Sequence, residues 1–158
     1  MLMKRRRFHR AFSLLEVVIV VAIIAVLATI AIPRMSRGAK GANDSAVSGD
    51  LAVLRNAIDL YATEHGGTYP AVATITDQLT KYTNIDGATS STKTTTHIYG
   101  PYIRNVPPLP VGVRKGQTGI AAADANDVGW IYTASSGTIT ANTTASEKDD
   151  TDKLYSDY

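Results

Sequence analysis

The charged residue that stands out in this 158-residue chain is Glu16, which directly precedes an almost uninterrupted apolar run over residues 17–32. Moving a carboxylate into hydrocarbon costs on the order of 3 kcal/mol, so a charge in such a place usually has a partner of opposite sign. The basic residues before the run could supply it, and so could a new amine created by cutting the chain next to Phe12. The chemistry that this pattern indicates is charge pairing in a low-dielectric environment.

The apolar run that must position Glu16 has the properties of a membrane span. Residues 12–32 are apolar at 18 of 21 positions. As a helix, a segment of this length at about 1.5 Å per residue covers roughly the ~30 Å of a bilayer core. Basic residues are more numerous before the run than after it, so the positive-inside bias predicts a cytoplasmic amino terminus and export of everything after Pro33. The five that precede it are Lys4, Arg5, Arg6, Arg7 and Arg10.

Two other interpretations of this segment remain open. Thr29, Ile30 and Ala31 form an acceptable small-residue cleavage site for a secretory signal, but that interpretation leaves Glu16 unexplained. The basic run at residues 4–7 could bind nucleic acid, although the adjacent apolar helix would hold it at a membrane surface. A membrane-anchored segment accounts for more of the pattern than either alternative.

Beyond the apolar run, the pattern predicts that the helix continues in a different form. Pro33 removes a helix hydrogen bond and favours a kink. Apolar residues then recur at spacings of 4, 3, 4 and 3, which is one face of an amphipathic helix, and Gly66 and Gly67 end it. The residues of this stripe are Val47, Leu51, Leu54, Ile58 and Tyr61. We therefore expect one kinked helix from Phe12 to His65, with a plain signal anchor before an unrelated domain as the alternative.

The string from Arg10 to Glu16, with a basic leader before it and an apolar helix after it, resembles the processing site of type IV pilins and type II secretion pseudopilins. The resemblance implies that a prepilin peptidase cuts between Ala11 and Phe12 and methylates the new amine of Phe12. It also implies that Glu16 pairs with the Phe12 amine of a neighbouring subunit during assembly. The family usually has glycine before the cut, where this chain has Ala11.

The remaining residues predict a small head. Residues 74–82 are typical of a short capped helix, residues 88–96 of an exposed polar loop, and residues 129–142 of a β-hairpin with Trp130 in the core. Residues 100–110 resemble the Gly-Pro-Tyr region of the major pseudopilin of type II secretion, although a proline-rich ligand would share their composition. The fold class predicted is α+β and pilin-like. A long kinked amino-terminal helix, transmembrane in its first half, packs on a head with a short helix and an antiparallel sheet.

Four segments follow from these patterns. Residues 1–11 form a basic leader, residues 12–32 the transmembrane or filament-core half of the helix, residues 33–65 its amphipathic half, and residues 66–158 a periplasmic head. Removal of the leader deletes five basic residues and no acidic ones, which changes the net charge from +2 to −3. The basic character of the precursor is therefore no argument for nucleic-acid binding as the main function of the mature chain.

The sequence predicts no enzyme. The chain contains no cysteine, which excludes disulfides, thiolate nucleophiles and Cys-ligated metals, and no motif places His65 or His97 in a catalytic arrangement. The only cofactor left open is calcium, because several type II pseudopilins carry a calcium ion near the carboxyl end and acidic oxygen donors cluster there in this chain. The candidate ligands are Asp124, Asp127, Asp149, Asp150 and Asp152, and a solvated acidic surface is the alternative.

The resemblance implies a structural subunit of a periplasmic filament that drives type II protein secretion. Its expected partners are copies of itself, prepilin peptidase, an inner-membrane assembly platform with its ATPase, and minor pseudopilins. The expected location is the inner membrane, crossed once, with a periplasmic head that enters the filament after assembly. The alternatives are a type IV pilus subunit for adhesion, motility or DNA uptake, and a monomeric membrane-anchored periplasmic binding protein.

Overall fold

The computed structural model describes residues 12–158, apart from the side chains of residues 33 and 35–37. Two α-helices, five short strands and a final 3-10 helix follow one another along the chain. They are α1 (Leu14–Glu64), α2 (Ile75–Thr80), β1 (Tyr82–Thr83), β2 (Thr89–Ser90), β3 (Gly119–Ala121), β4 (Val128–Thr133), β5 (Thr138–Ala141) and the 3-10 helix Tyr155–Asp157. The predicted leader, including Ala11, lies outside the described residues.

The chain divides into two compact units after Gly38, and α1 contributes to both. In the first unit the helix is apolar on all sides, with a mean hydropathy of 3.0 over Leu14–Ile32, and none of that span is buried. It is the one helix in the described residues that is long and apolar enough to cross a membrane. The helix continues through Pro33 without interruption. The kink expected at Pro33 stays a prediction.

In the second unit, from Ala39 onward, α1 forms one wall of the head. The predicted apolar stripe is confirmed, because all five of its residues are buried in a single core with side chains from α2, the strands and the loops. Val47, Leu51, Leu54 and Ile58 are 0% exposed and Tyr61 is 3% exposed. Burying such side chains contributes about 1.5–3 kcal/mol each, so this stripe fixes α1 to the head.

The predicted end of α1 at a glycine pair is also confirmed. The N–H of Gly67 donates to the Ala62 carbonyl at 2.7 Å, a bond that satisfies one of the last free carbonyls of the helix. Gly66 and Gly67 have φ angles of +65° and +86°, a conformation that side chains with a Cβ rarely adopt. His65, between the helix and this turn, is buried and contacts the carbonyls of Tyr61 and Asn84 at 2.8 and 2.9 Å.

The head contains two small sheets. In the larger, the hairpin β4–β5 is confirmed, with Trp130 opposite Ala141 and Thr133 opposite Thr138. The prediction of a purely antiparallel sheet was incomplete, because β3 pairs with β4 in parallel. In the smaller sheet β2 pairs with β1, so the residues predicted as a polar loop contain a short strand. The α+β class and the order of long helix, short helix and sheet agree with a pilin-like fold.

The N-cap of α2 differs from the sequence-based prediction, whereas the position of Trp130 agrees with it. The short helix α2 is confirmed, but the side chain of Thr74 at its N-cap makes no capping hydrogen bond. Trp130 is fully buried, and its indole N–H donates to the Pro107 carbonyl at 2.9 Å. That bond ties the sheet to the proline-rich segment and satisfies the only polar atom of the Trp130 side chain, which belongs to the core as predicted.

Candidate processing and assembly site

The predicted processing and assembly residues lie at the start of α1. Phe12 precedes the helix and is 80% exposed. Together with Glu16 and three valines it lines an apolar groove of about 320 Å³ along one side of the helix. The three valines are Val17, Val20 and Val21. The structure thus brings Phe12 and Glu16 to one face, whereas Ala11, on the other side of the predicted cut, is outside the described residues.

The position of Glu16 on the helix also has a local reason. Glu16 lies in the first turn of α1, where a negative charge interacts favourably with the positive end of the helix dipole. Ser13 directly precedes the helix and accepts its first backbone hydrogen bond, from Val17 at 3.3 Å. Ser13 and Glu16 have the spacing of a capping box, a local pattern that is typical of a helix N-terminus.

The apolar surface extends well beyond this groove. A second groove, of about 370 Å³, is lined by Ile19, Ala22, Ile23, Val26 and Leu27 on the same helix. Large apolar side chains from Phe12 to Ile32 are between 49% and 82% exposed. A contiguous apolar surface of this size on a water-soluble monomer would be an aggregation liability, so its cover must be lipid or another protein.

The predicted calcium ligands form two separate groups in the head. In the first, Arg114 donates to both oxygens of Asp124, at 2.8 Å from Nε and 2.9 Å from Nη2, and Asn142 donates to Oδ1 at 2.8 Å. These hydrogen bonds, chiefly that from Arg114, lower the pKa of Asp124. Asp127 is exposed. The carboxylate of Asp124 already has a cationic partner from its own chain.

The second group lies near the carboxyl end. Oδ1 of the buried Asp149 accepts hydrogen bonds from the N–H of Thr151 at 2.7 Å and of Lys153 at 2.9 Å, and Oδ2 accepts one from the Tyr158 hydroxyl at 2.6 Å. The Tyr158 hydroxyl, followed by Thr151 and the backbone N–H groups, holds the pKa of Asp149 well below its usual range. Asp150 pairs with Lys40 at 3.1 Å, and Asp152 is exposed at a φ of +66°.

These two groups do not fit a calcium ion well. Calcium takes six to eight oxygen ligands, and its carboxylate ligands must be free to turn their oxygens toward it. The oxygens of Asp124 and Asp149 instead accept hydrogen bonds from groups of the chain. Within residues 12–158, no three Asp, Glu or His side chains come close enough to share a metal ion. The two acidic groups therefore give no support to a bound calcium ion.

The polar contacts that hold β5 and the last ten residues to α1 could not be predicted from the sequence. Asp44 accepts a hydrogen bond from the Tyr155 hydroxyl at 2.5 Å and another from the Asp150 N–H at 3.2 Å. One turn earlier on the helix, the Lys40 ammonium reaches the Asp149 carbonyl at 3.0 Å. Further along, Arg55 donates to the carbonyls of Ile139 and Tyr158. No local sequence signal announces contacts between residues more than 80 positions apart.

Comparison with known proteins bears on the amino-terminal site. Residues 6–32 match the family described as the prokaryotic N-terminal methylation motif. The matched residues contain the predicted cleavage site, Phe12, Glu16 and the exposed apolar helix. No curated protein and no solved structure matches the chain.

The motif and the fold together support the type IV pilin-like class, which comprises the pilins and pseudopilins. Within this class, the motif implies processing by prepilin peptidase and pilin-type assembly. One apolar amino-terminal helix is compatible with the membrane anchor that a protein of this class requires. The match ends at residue 32, so it does not extend to the head.

Proposed function

We propose that this chain is a pseudopilin, a structural subunit without catalytic activity that polymerises into a periplasmic filament driving type II protein secretion. The observation that carries the proposal is the contrast within α1. Its first part exposes apolar side chains on every side next to a methylation motif, whereas its second part belongs to the core of the head. A subunit that waits in a membrane and then joins a filament needs both parts.

In this proposal the leader keeps the amino terminus in the cytoplasm and the helix crosses the inner membrane once. Prepilin peptidase cuts between Ala11 and Phe12 and methylates the Phe12 amine. The assembly platform and its ATPase then move the subunit out of the bilayer into a filament that minor pseudopilins begin. Apolar helices packed side by side replace lipid around the exposed surface, so the transfer exchanges one apolar environment for another.

Glu16 sets the register of each added subunit. Glu16 lines the same groove as Phe12 and three valines, so it has apolar neighbours on its own helix. A neighbouring subunit that presents the methylated Phe12 amine to this groove neutralises the charge. An unpaired carboxylate there is penalised, and a subunit docked at the wrong height leaves it unpaired.

The segment around Gly100, which carries the resemblance to the major pseudopilin of type II secretion, packs on α2. Gly100 has a φ of +66°, and a Cβ there would lie 2.9 Å from the Lys81 carbonyl. The N–H groups of Tyr102 and Ile103 both donate to the Leu79 carbonyl, at 2.9 and 3.1 Å. The Gly-Pro-Tyr sequence is thus held against α2, which argues against a free proline-rich ligand.

The amino-terminal residue of the mature protein tests the proposed processing. We expect mass spectrometry of protein purified from membranes to show a chain that begins with N-methylated phenylalanine at position 12. The matched control is the same protein expressed without prepilin peptidase, which should keep residues 1–11. A mature chain that begins after Ala31, or an uncut chain in cells with the peptidase, contradicts the assignment.

A deletion strain separates secretion from the type IV pilus alternative. Loss of the gene should abolish export of secreted proteins to the medium and leave twitching motility, adhesion and DNA uptake unchanged. The opposite pattern would favour the pilus subunit. If both sets of activities persist and electron microscopy of sheared material shows no filaments containing this chain, the monomeric binding protein becomes the better explanation.

A further inference from the structure

The acidic segment at the end of the head lies against a cation from its own chain. Lys40, near the start of the α1 part that belongs to the head, places its ammonium 3.0 Å from the Asp149 carbonyl and 3.1 Å from Asp150 Oδ1. A backbone carbonyl and a carboxylate oxygen from consecutive residues are oxygens of the type that a bound cation would use. In this protein the ammonium of Lys40 binds both oxygens.

The acidic residues around Lys40 are engaged in the same way. Asp149 accepts hydrogen bonds on both carboxylate oxygens, from Thr151, Lys153 and Tyr158. Asp44, four residues after Lys40 on the helix, accepts bonds on both oxygens as well, from the Tyr155 hydroxyl and the Asp150 N–H. Hydrogen-bond donors of the protein therefore satisfy the carboxylate oxygens that would otherwise need a metal ion or water.

The other acidic group of the head repeats this arrangement. The Arg114 guanidinium binds both oxygens of Asp124 and also donates to Asn126 Oδ1 at 3.2 Å. The buried Asn142 donates hydrogen bonds from Nδ2 to Asp124 Oδ1 and to the Val128 carbonyl at the start of β4. Each acidic group of the head thus has one basic side chain as its counter-ion, Lys40 for the terminal segment and Arg114 for the loop before β4.

We propose that Lys40 and Arg114 are built-in counter-ions that do the work of a structural metal, so that the head folds and keeps its terminal segment on α1 without a divalent cation. For the terminal segment, Lys40 is the decisive residue because it joins the acidic turn to the helix. The inference goes beyond the proposed filament function and does not depend on it, since it concerns the folding of the head alone.

The first test compares the full-length protein in detergent micelles with and without calcium. Thermal unfolding is followed by the fluorescence of Trp130 in excess EDTA and in 1 mM CaCl₂. We expect the two Tm values to agree within about 1 °C, because a site saturated at about 100 times its Kd would raise Tm on the order of 10 °C. A rise of that size in calcium would overturn the proposal.

The second test removes the counter-ion. Lys40→Met should lower Tm by about 2–5 °C. It should also speed tryptic cleavage after Lys148 and Lys153, quantified by mass spectrometry, about threefold to tenfold, because the terminal segment opens more often. Lys40→Arg keeps the positive charge and should behave like the wild type. The matched control is Lys93→Met, which removes the same charge from an exposed position in the loop after β2.

The outcomes of the two tests are decisive in either direction. If Lys40→Met leaves both Tm and the cleavage rate at wild-type values, Lys40 is not the counter-ion that holds the segment. If Lys40→Met fails to accumulate as folded protein, the comparison of wild-type Tm in EDTA and calcium still decides whether a metal is needed. Neither result depends on filament assembly or secretion.

Discussion

The two parts of α1 have similar apolar side chains but differ in what covers them. Leu27 in the first unit is 59% exposed, whereas Leu51 and Leu54 in the second are 0% exposed. The second part is amphipathic and finds its cover in the head, so its stability comes from packing within one chain. The first part is apolar on all sides, which is typical of helices whose cover is lipid or other helices. One helix therefore carries a folding surface in its second part and, in its first part, an exposed apolar surface whose proposed role is assembly.

The largest effect that would sharpen this comparison is the loss of a core side chain in the head. Trp130→Ala should lower the free energy of unfolding of the head by about 3–5 kcal/mol, since it leaves a large cavity and an unpaired Pro107 carbonyl. Leu27→Ala in the exposed part should change it by less than about 0.5 kcal/mol. Urea unfolding in micelles, followed by circular dichroism, measures both. Equal losses in the two variants would erase the distinction between the regions.

Filament assembly, unlike the stability of the head, should depend on a side chain in the exposed part of α1. Glu16→Leu should reduce filament yield at least tenfold, corresponding to about 1.4 kcal/mol per added subunit, while head stability stays at the wild-type value. Glu16→Gln keeps the shape of the side chain without its charge and should fail to a similar degree. Quantitative immunoblots of sheared filaments give the yield. Assembly of either variant at the wild-type rate would show that the charge does not set the register.

Acid should weaken the head through Asp149. Because the pKa of Asp149 is lower in the folded chain than its unfolded value, its contribution to stability is complete above about pH 4 and falls as the pH drops through the folded pKa. Asp149→Asn should therefore be less stable than wild type at pH 7, and the difference should shrink below pH 4. The control is Asp152→Asn in the same turn, where asparagine tolerates the positive φ. A constant difference from pH 7 to pH 2 would contradict this.

The smallest effect concerns the outer side of the head portion of α1. Leu60 is 50% exposed there, so Leu60→Ser should change the free energy of unfolding by less than about 0.5 kcal/mol. The same change at the buried Leu54 should cost at least about 2 kcal/mol. Parallel urea titrations of the two variants locate the boundary of the core on the helix. A large loss of stability in Leu60→Ser would show that the buried face of α1 extends further around the helix than the structure shows.

Features with a local sequence signal could be predicted. The stripe from Val47 to Tyr61, the glycine pair that ends α1 and the hairpin β4–β5 all rest on periodicity or turn residues near in sequence. The parallel pairing of β3 could not be predicted, because Gly119–Ala121 is only three residues long and its partner is fixed by tertiary packing.

The same limit applies to the candidate sites. The order of charge, small residue, aromatic and carboxylate around Phe12 is a local pattern that lies within the matched methylation motif, and the position of the cut stays a prediction. The cluster of aspartates near the carboxyl end predicts a metal from sequence alone because two partners of this segment, Lys40 and Asp44, lie far away in the chain. Lys40 is 109 residues from the carbonyl that it binds, and Tyr155 is 111 residues from Asp44.

The link between Asp44 and Tyr155 has a mechanical consequence. It joins the helix to the last element of the chain, as the pair formed by Lys40 and Asp150 does one turn earlier. The terminal segment cannot leave α1 unless these contacts break. A head fastened to its helix at both ends of its sequence is therefore suited to bear load as one body.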